Sequence, residues 1–281
     1  MRIKVWGSRG SLATPGRETL RIGGNTTCVE IAANGTRIIL DAGTGIRSLG
    51  RELAAQGSQA VDIFLTHLHL DHIEGLGFFA PFHDPDCKVT VWGPPSSVRS
   101  LKERISRYLS SPLFPIEISD LPARVVFRDV PAEPWEIGGL RLSAHPVSHP
   151  GATLGYRVEA DGVTAAFIPD HEPALGVELE SLTSDWISGY PVAEGASVLF
   201  HDAQYTDDEY EHRIGWGHSS VRQAVSFAAI TGTERLLLFH HDPAHTDDDL
   251  DVHRDRACEL WQGDGAPPEL AREGMELELQ G

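Results

Sequence analysis

Cysteine is scarce in this chain of 281 residues: Cys28, Cys87 and Cys258 form an odd, scattered set. No disulfide framework follows from such a set. Free thiols in a reducing, cytoplasmic compartment are the expectation. Long apolar runs are missing too. No window of 18 apolar residues occurs, so a membrane-spanning helix is not expected. Met1-Arg2-Ile3-Lys4-Val5-Trp6 leads straight into a strand and lacks the apolar core of a signal peptide. No Pro/Gly/Ser-rich linker and no internal repeat divides the chain, so one domain over residues 1–281 is expected. Positive charge is also in short supply, with 23 Lys and Arg against 41 Asp and Glu and a net charge of −18. Affinity for long nucleic acid rests on phosphate neutralisation by Lys and Arg, so such a partner is not expected. A small anionic substrate stays open, because bound divalent metals would add positive charge locally. A homodimer is compatible with these features.

What the chain does contain is His67-Leu68-His69-Leu70-Asp71-His72, directly after the apolar run Val61-Asp62-Ile63-Phe64-Leu65. That run reads as a buried strand, so the cluster falls where a strand gives way to a loop. Three imidazoles and a carboxylate in six residues are hard to account for as core or as surface. Imidazole and carboxylate suit zinc, manganese or iron, and a cysteine-free set is more often catalytic than structural.

Further strands are expected at Arg2 to Trp6, Thr27 to Ala33 and Arg37 to Leu40, with Asn34-Gly35 as a hairpin turn. More follow at Lys88 to Trp92, Arg124 to Phe127, Leu140 to Ala144, Leu154 to Glu159, Val163 to Ile168, Val198 to Phe200 and Leu236 to Phe239. Helices are expected over Ile46 to Gln56, Ser97 to Leu109 and Asp207 to His212, with two more capped by Ser219 or Ser220 and by Thr246. Asp247, Asp248 and Asp249 read as first-turn acids that complement a helix dipole rather than as a metal cluster. Strand blocks separated by helices suit an α/β protein with two packed sheets and helices outside.

The six-residue cluster resembles the signature of the metallo-β-lactamase fold superfamily, whose fold is an αββα sandwich. The resemblance implies further ligands in chain order. His149 in Ser148-His149-Pro150, Asp170 in Pro169-Asp170-His171, and His240 after Leu236-Leu237-Leu238-Phe239 stand in those places. By that analogy His67, His69 and His149 bind one divalent metal, Asp71, His72 and His240 bind a second, and Asp170 bridges them. Zinc is the first expectation and manganese the second. His241 also follows the strand, but neighbouring side chains on a strand point apart, so only one of the pair should ligate.

His201-Asp202-Ala203-Gln204 and Gly217-His218-Ser219-Ser220 resemble two motifs of the tRNase Z branch. There the acidic residue orients a histidine that protonates the leaving group. Carried over, Asp202 orients His218, and Asp202, His218 and Asp71 are the catalytic candidates. A positioned acid suits phosphodiester cleavage, which expels a poor alkoxide leaving group. His218 also precedes a helix N-terminus, where a phosphate oxygen could sit. Two departures point away from tRNA. Only twenty residues separate His149 from Asp170, too few for the gripping arm of that branch, and Gln204 replaces its threonine. The pattern looks more like small cyclic phosphodiesterases, which Gly23-Gly24-Asn25-Thr26 and Asp41-Ala42-Gly43-Thr44-Gly45 also match. As motifs these Gly-rich pieces read equally well as tight turns beside the site.

The expected function is therefore dinuclear, metal-dependent hydrolysis of a small or cyclic nucleotide-type phosphodiester. Competing readings are an acyl hydrolase of lactone, thioester or β-lactam type, a di-iron redox protein, and a metal-stabilised binding protein without turnover. His171, His245 and His83 are expected as surface or supporting residues. Phe78, Phe79, Trp92, Tyr205 and Trp216 are candidates for base stacking, with core packing favoured for most.

Overall fold

Alternating apolar residues build two seven-stranded sheets in this computed structural model, which describes all residues except 58, 59 and 264. In the first sheet β1 (Arg2–Gly7), β2 (Cys28–Ala33) and β3 (Thr36–Leu40) run antiparallel. β4 (Ala60–Phe64), β5 (Lys88–Gly93) and β6 (Arg124–Asp129) then continue in parallel from β3. In the second sheet β7 (Trp135–Ile137), β8 (Leu140–Pro146), β9 (Leu154–Ala160) and β10 (Val163–Ile168) form an antiparallel meander. β11 (Val198–Asp202), β12 (Leu236–Phe239) and β13 (Glu269–Leu270) extend it in parallel. The last strand, β14 (Glu276–Glu278), returns to pair with β1. Asn34 and Gly35 both have positive φ, 54° and 75°, the backbone a two-residue hairpin needs.

The sheets face each other across one apolar layer. Val5, Ile31, Leu40 and Phe64 of the first pack in the same cluster as Leu142, Tyr156, Phe167 and Phe239 of the second. The helices cover the outer faces. Ile46, Leu49 and Leu53 of α1 (Ile46–Gln56) pack with Ile39, Ile63 and Val91. The period of two is visible along β12, where Leu237 and Phe239 face the shared layer while Leu236 and Leu238 face helices. This is the expected αββα sandwich.

Several elements differ from expectation. The metal loop is a helical turn, α2 (Leu70–Ile73), that starts just after His69. The helix expected over Ser97 to Leu109 is the shorter α3 (Leu101–Ser106). Its start is set by a capping box, in which Ser100 accepts from the Glu103 amide and Glu103 accepts from the Ser100 amide. α4 (Tyr190–Ala193), β7, β13 and β14 are too short to leave a periodic signal. The remaining helices match: α5 (Asp207–Glu211), α6 (Val221–Thr231) capped by Ser220, and α7 (Asp247–Leu260) capped by Thr246.

Candidate metal centre

The ends of strands from both sheets meet at one point, and the seven expected ligands gather there. Asp170 lies at the middle. Its Oδ1 is 3.0 Å from His72 Nε2 and 3.2 Å from His240 Nε2. Its Oδ2 is 3.6 Å from His149 Nε2 and 3.8 Å from His67 Nε2. One carboxylate oxygen thus faces each of two imidazole groups. His67, His69, His149 and Asp170 present ligand atoms that all lie within 4.8 Å of one another, as do Asp71, His72 and His240. A third grouping, Asp170, His218 and His240, meets the same limit.

The chemistry of this donor set fits divalent cations. His67 Nε2, His72 Nε2 and Asp170 Oδ1 are buried and make no hydrogen bond. Buried polar atoms rarely go unpaired, and three in one cluster aimed at one another call for a shared partner. The outer ring nitrogens are taken up instead. His72 Nδ1 donates to Asp41 Oδ2 at 2.8 Å, and Asp41 also accepts from the amide and hydroxyl of Thr66. His240 Nδ1 donates to Gln204 Oε1 at 2.9 Å, and His149 Nδ1 to the Gly217 carbonyl at 2.8 Å. Such bonds fix the tautomer and turn Nε2 inward. Asp71 Oδ2 accepts from the Ser11 amide at 2.7 Å.

Beside this cluster His218 Nδ1 donates to Asp202 Oδ2 at 2.7 Å. Asp202 is fully buried and also accepts from the amides of His171, Gln204 and Ser219, so it cannot swing away. Burial opposes the His218 imidazolium, but Asp202, with Asp170 and Asp71 behind it, outweighs burial and holds its pKa up at about 9. A cation nearby acts in the opposite sense.

Sequence reasoning passed over the residues that seat this site. Asp41 and Gln204 were visible only as parts of weak motifs, yet each orients one imidazole. Glu172, fully buried, accepts from the amides of Gly215 and Gly217 and from the Tyr210 hydroxyl. It thereby shapes the loop that carries His218. The Gly-rich pieces act as tight turns. The Ala42 amide donates to the His72 carbonyl, the Gly75 amide donates to the Ala42 carbonyl, and a side chain on Gly43 would strike the Asp71 carbonyl.

The other candidates fall outside the cluster. His241 points away from it, donating to the Ala271 carbonyl, and burial presses its pKa down to about 3. Of the two expectations for His171, supporting rather than surface fits: it is buried, its amide donates to Asp202, and its Nδ1 is 2.9 Å from His201 Nε2. His245 pairs with Glu209 at 3.1 Å, and the exposed His83 reaches the Gly77 carbonyl. Phe79 is core, Trp92 stacks on Phe64, and Tyr205 is buried with its ring edge toward His218. Phe78 and Trp216 are exposed. All three cysteines are free. Among the described residues, no helix is long and apolar enough to cross a membrane.

Residues 36–241 match the family described as the Beta-lactamase superfamily domain. Ribonuclease Z of Myxococcus xanthus is 27% identical over 301 residues, covering 91% of this chain and 92% of that protein. In fold the chain is similar to the metallo-beta-lactamase fold protein YhfI from Bacillus subtilis, with a TM-score of 0.71, 18% identity and 99% of each chain covered. It is also similar to a diphosphatase from the PhnP family, with a TM-score of 0.68, 19% identity and coverage of 99% and 98%. The expectation that long nucleic acid is not a partner gains no support here, since one relative is named a ribonuclease.

Proposed function

Because this chain belongs to the beta-lactamase superfamily, we propose that it is a metal-dependent hydrolase of phosphodiesters, formed as one domain over residues 1–281. The observation that carries the reading is the pair of buried Asp202 and half-buried His218 beside the Asp170 cluster. The names of its relatives, a ribonuclease and a diphosphatase, favour the same chemistry. His67, His69 and His149 would hold one divalent cation, and Asp71, His72 and His240 a second, with Asp170 between them. Zinc or manganese, when bound, supplies Lewis acidity toward a phosphoryl oxygen and lowers the pKa of water.

The protein's own part is positioning and proton transfer. Asp202 holds His218 by Nδ1, so Nε2 is the atom left to protonate the departing alkoxide. Asp41, Gln204 and the Gly217 carbonyl hold three other rings in the tautomer that keeps Nε2 unprotonated. A small substrate suits the architecture, because residues 150–169 are spent on β9 and β10 and leave no insert to grip a large partner. A reducing, cytoplasmic setting is part of the reading, and free thiols favour it.

The test is a comparison of metal-loaded protein on bis-p-nitrophenyl phosphate, cyclic and linear nucleotides, a tRNA precursor and a lactone. Turnover of the small phosphodiesters above the lactone is the expected outcome. Faster lactone turnover would establish the acyl-hydrolase alternative. Preference for the tRNA precursor would correct the substrate size. No turnover of any of them would point to a metal-stabilised binding protein.

A further inference from the structure

Next to the centre lies a pocket of about 360 Å³ that no step of this chemistry uses. Thr44, Arg47, Leu70, Phe78, Tyr108 and Leu113 line it. Leu70, Phe78 and Leu113 are 61%, 61% and 69% exposed. Three large apolar side chains left open to water in one concavity mark a place where something binds.

The walls are braced rather than loose. Phe78 packs edge-on against Phe114, with centroids 5.7 Å apart. The Tyr108 hydroxyl donates to the Glu74 carbonyl, and Thr44 Oγ1 accepts from the Thr26 amide. Glu74, the pocket's carboxylate, accepts from the Thr26 hydroxyl. Arg47, exposed in the first turn of α1, is the pocket's cation.

The pocket adjoins the metal loop, since Leu70 lines it and directly follows His69. His69 and Leu70 are exposed while Asp71, His72 and Ile73 are buried, so the centre opens to solvent at His69 and the pocket begins one residue later. Charge agrees. Residues 1–134 carry 15 Lys and Arg against 14 Asp and Glu, whereas residues 135–281 carry 8 against 27. All the lining residues belong to the first, nearly neutral part, the one that does not repel an anion.

We propose that this pocket is a base-binding subsite, which takes the nucleobase of a nucleoside phosphodiester stacked on Phe78, with Arg47 facing an oxygen of the same nucleotide. The inference rests on the phosphodiesterase reading and names its substrate class. A planar aromatic base suits a ring, flanking leucines and a cation better than a flexible acyl chain does.

Two esters with one leaving group test it: thymidine 5′-p-nitrophenyl phosphate and methyl p-nitrophenyl phosphate, each with metal-loaded protein. Calorimetric binding of AMP runs alongside, with no turnover required. Phe78 is exposed, so Phe78→Ala keeps the fold. It should raise KM for the thymidine ester and Kd for AMP by about 5–150-fold, the range that loss of one base stack carries. On the methyl ester kcat/KM should stay within about two-fold, and Phe78→Trp should restore nucleotide binding. Equal losses on both esters overturn the subsite, as does AMP binding that is absent in the wild type or unchanged in Phe78→Ala. If neither ester turns over but AMP binds through Phe78, the phosphodiesterase reading falls and the subsite stands.

Discussion

His218 and His240 stack with ring centroids 5.0 Å apart, yet their partners assign them different work. His240 turns Nδ1 to Gln204 and Nε2 to Asp71 and Asp170, whereas His218 spends Nδ1 on Asp202. His218→Ala should therefore keep its metal by elemental analysis. Its rate on a substrate with an alkoxide leaving group should fall about 10²–10⁴-fold. A p-nitrophenyl ester should suffer much less, because nitrophenolate leaves without a proton. Metal loss from His218→Ala would instead make it a ligand, as the grouping of Asp170, His218 and His240 allows. His240→Ala and Asp170→Ala should lose metal as well as activity. His241→Ala should keep metal and cost stability, since the Ala271 carbonyl loses its donor, about 1–3 kcal/mol by denaturant titration.

At the scale of elements, the segment Ser8–Ser11 deserves a variant of its own. Arg9 is fully buried, and its guanidinium reaches the carbonyls of Gly23, Asp242 and His245 and the carboxylate of Asp247. It ties the first loop to the loop after β12 and to the start of α7. Two residues on, Ser11 donates to Asp71, and Gly10 lies so close to the His240 ring that a Cβ there would clash. Gly10→Ala should displace His240 while the sheets stay intact. Elemental analysis should then find about one metal per chain against an expected two in the wild type. An unchanged metal content would mean that the loop yields and the ligand does not. Arg9→Ala should be more damaging, about 3–5 kcal/mol, because Asp247 is left buried without its cation.

At the scale of the molecule, the centre joins the two sheets. His67, His69, Asp71 and His72 follow β4 of the first sheet, while His149, Asp170 and His240 follow β8, β10 and β12 of the second. Cations bound there would hold the layers together at their strand ends, and binding to the folded state alone stabilises it. At free metal about 100-fold above Kd the gain is about 2.7 kcal/mol. Chelation should therefore lower Tm by several degrees in calorimetry, and re-addition of zinc or manganese should restore it in a concentration-dependent way. A Tm indifferent to chelator would argue against tight binding between the sheets.

Some of this was legible along the chain. The candidate ligands His67 to His72 stand out because ligand chemistry is carried by residue type and short spacing, which need no fold to be seen. Strands such as Val163–Ile168 and the Asn34-Gly35 turn are local preferences, written in neighbouring residues. Other features were not legible. Asp41 lies 31 residues from His72, Gln204 lies 36 from His240, and Arg9 lies 238 from Asp247. Weak motifs touch Asp41 and Gln204 and none touches Arg9, but no local signal shows what any of them does, because each acts only through a partner that the sheets deliver. The helical turn α2 and the edge strands β7, β13 and β14 are too short for periodicity to register. The pocket at Phe78 is likewise a product of packing: α1, α2 and the segment around Tyr108 and Leu113 each contribute a wall, and only the folded chain places them together.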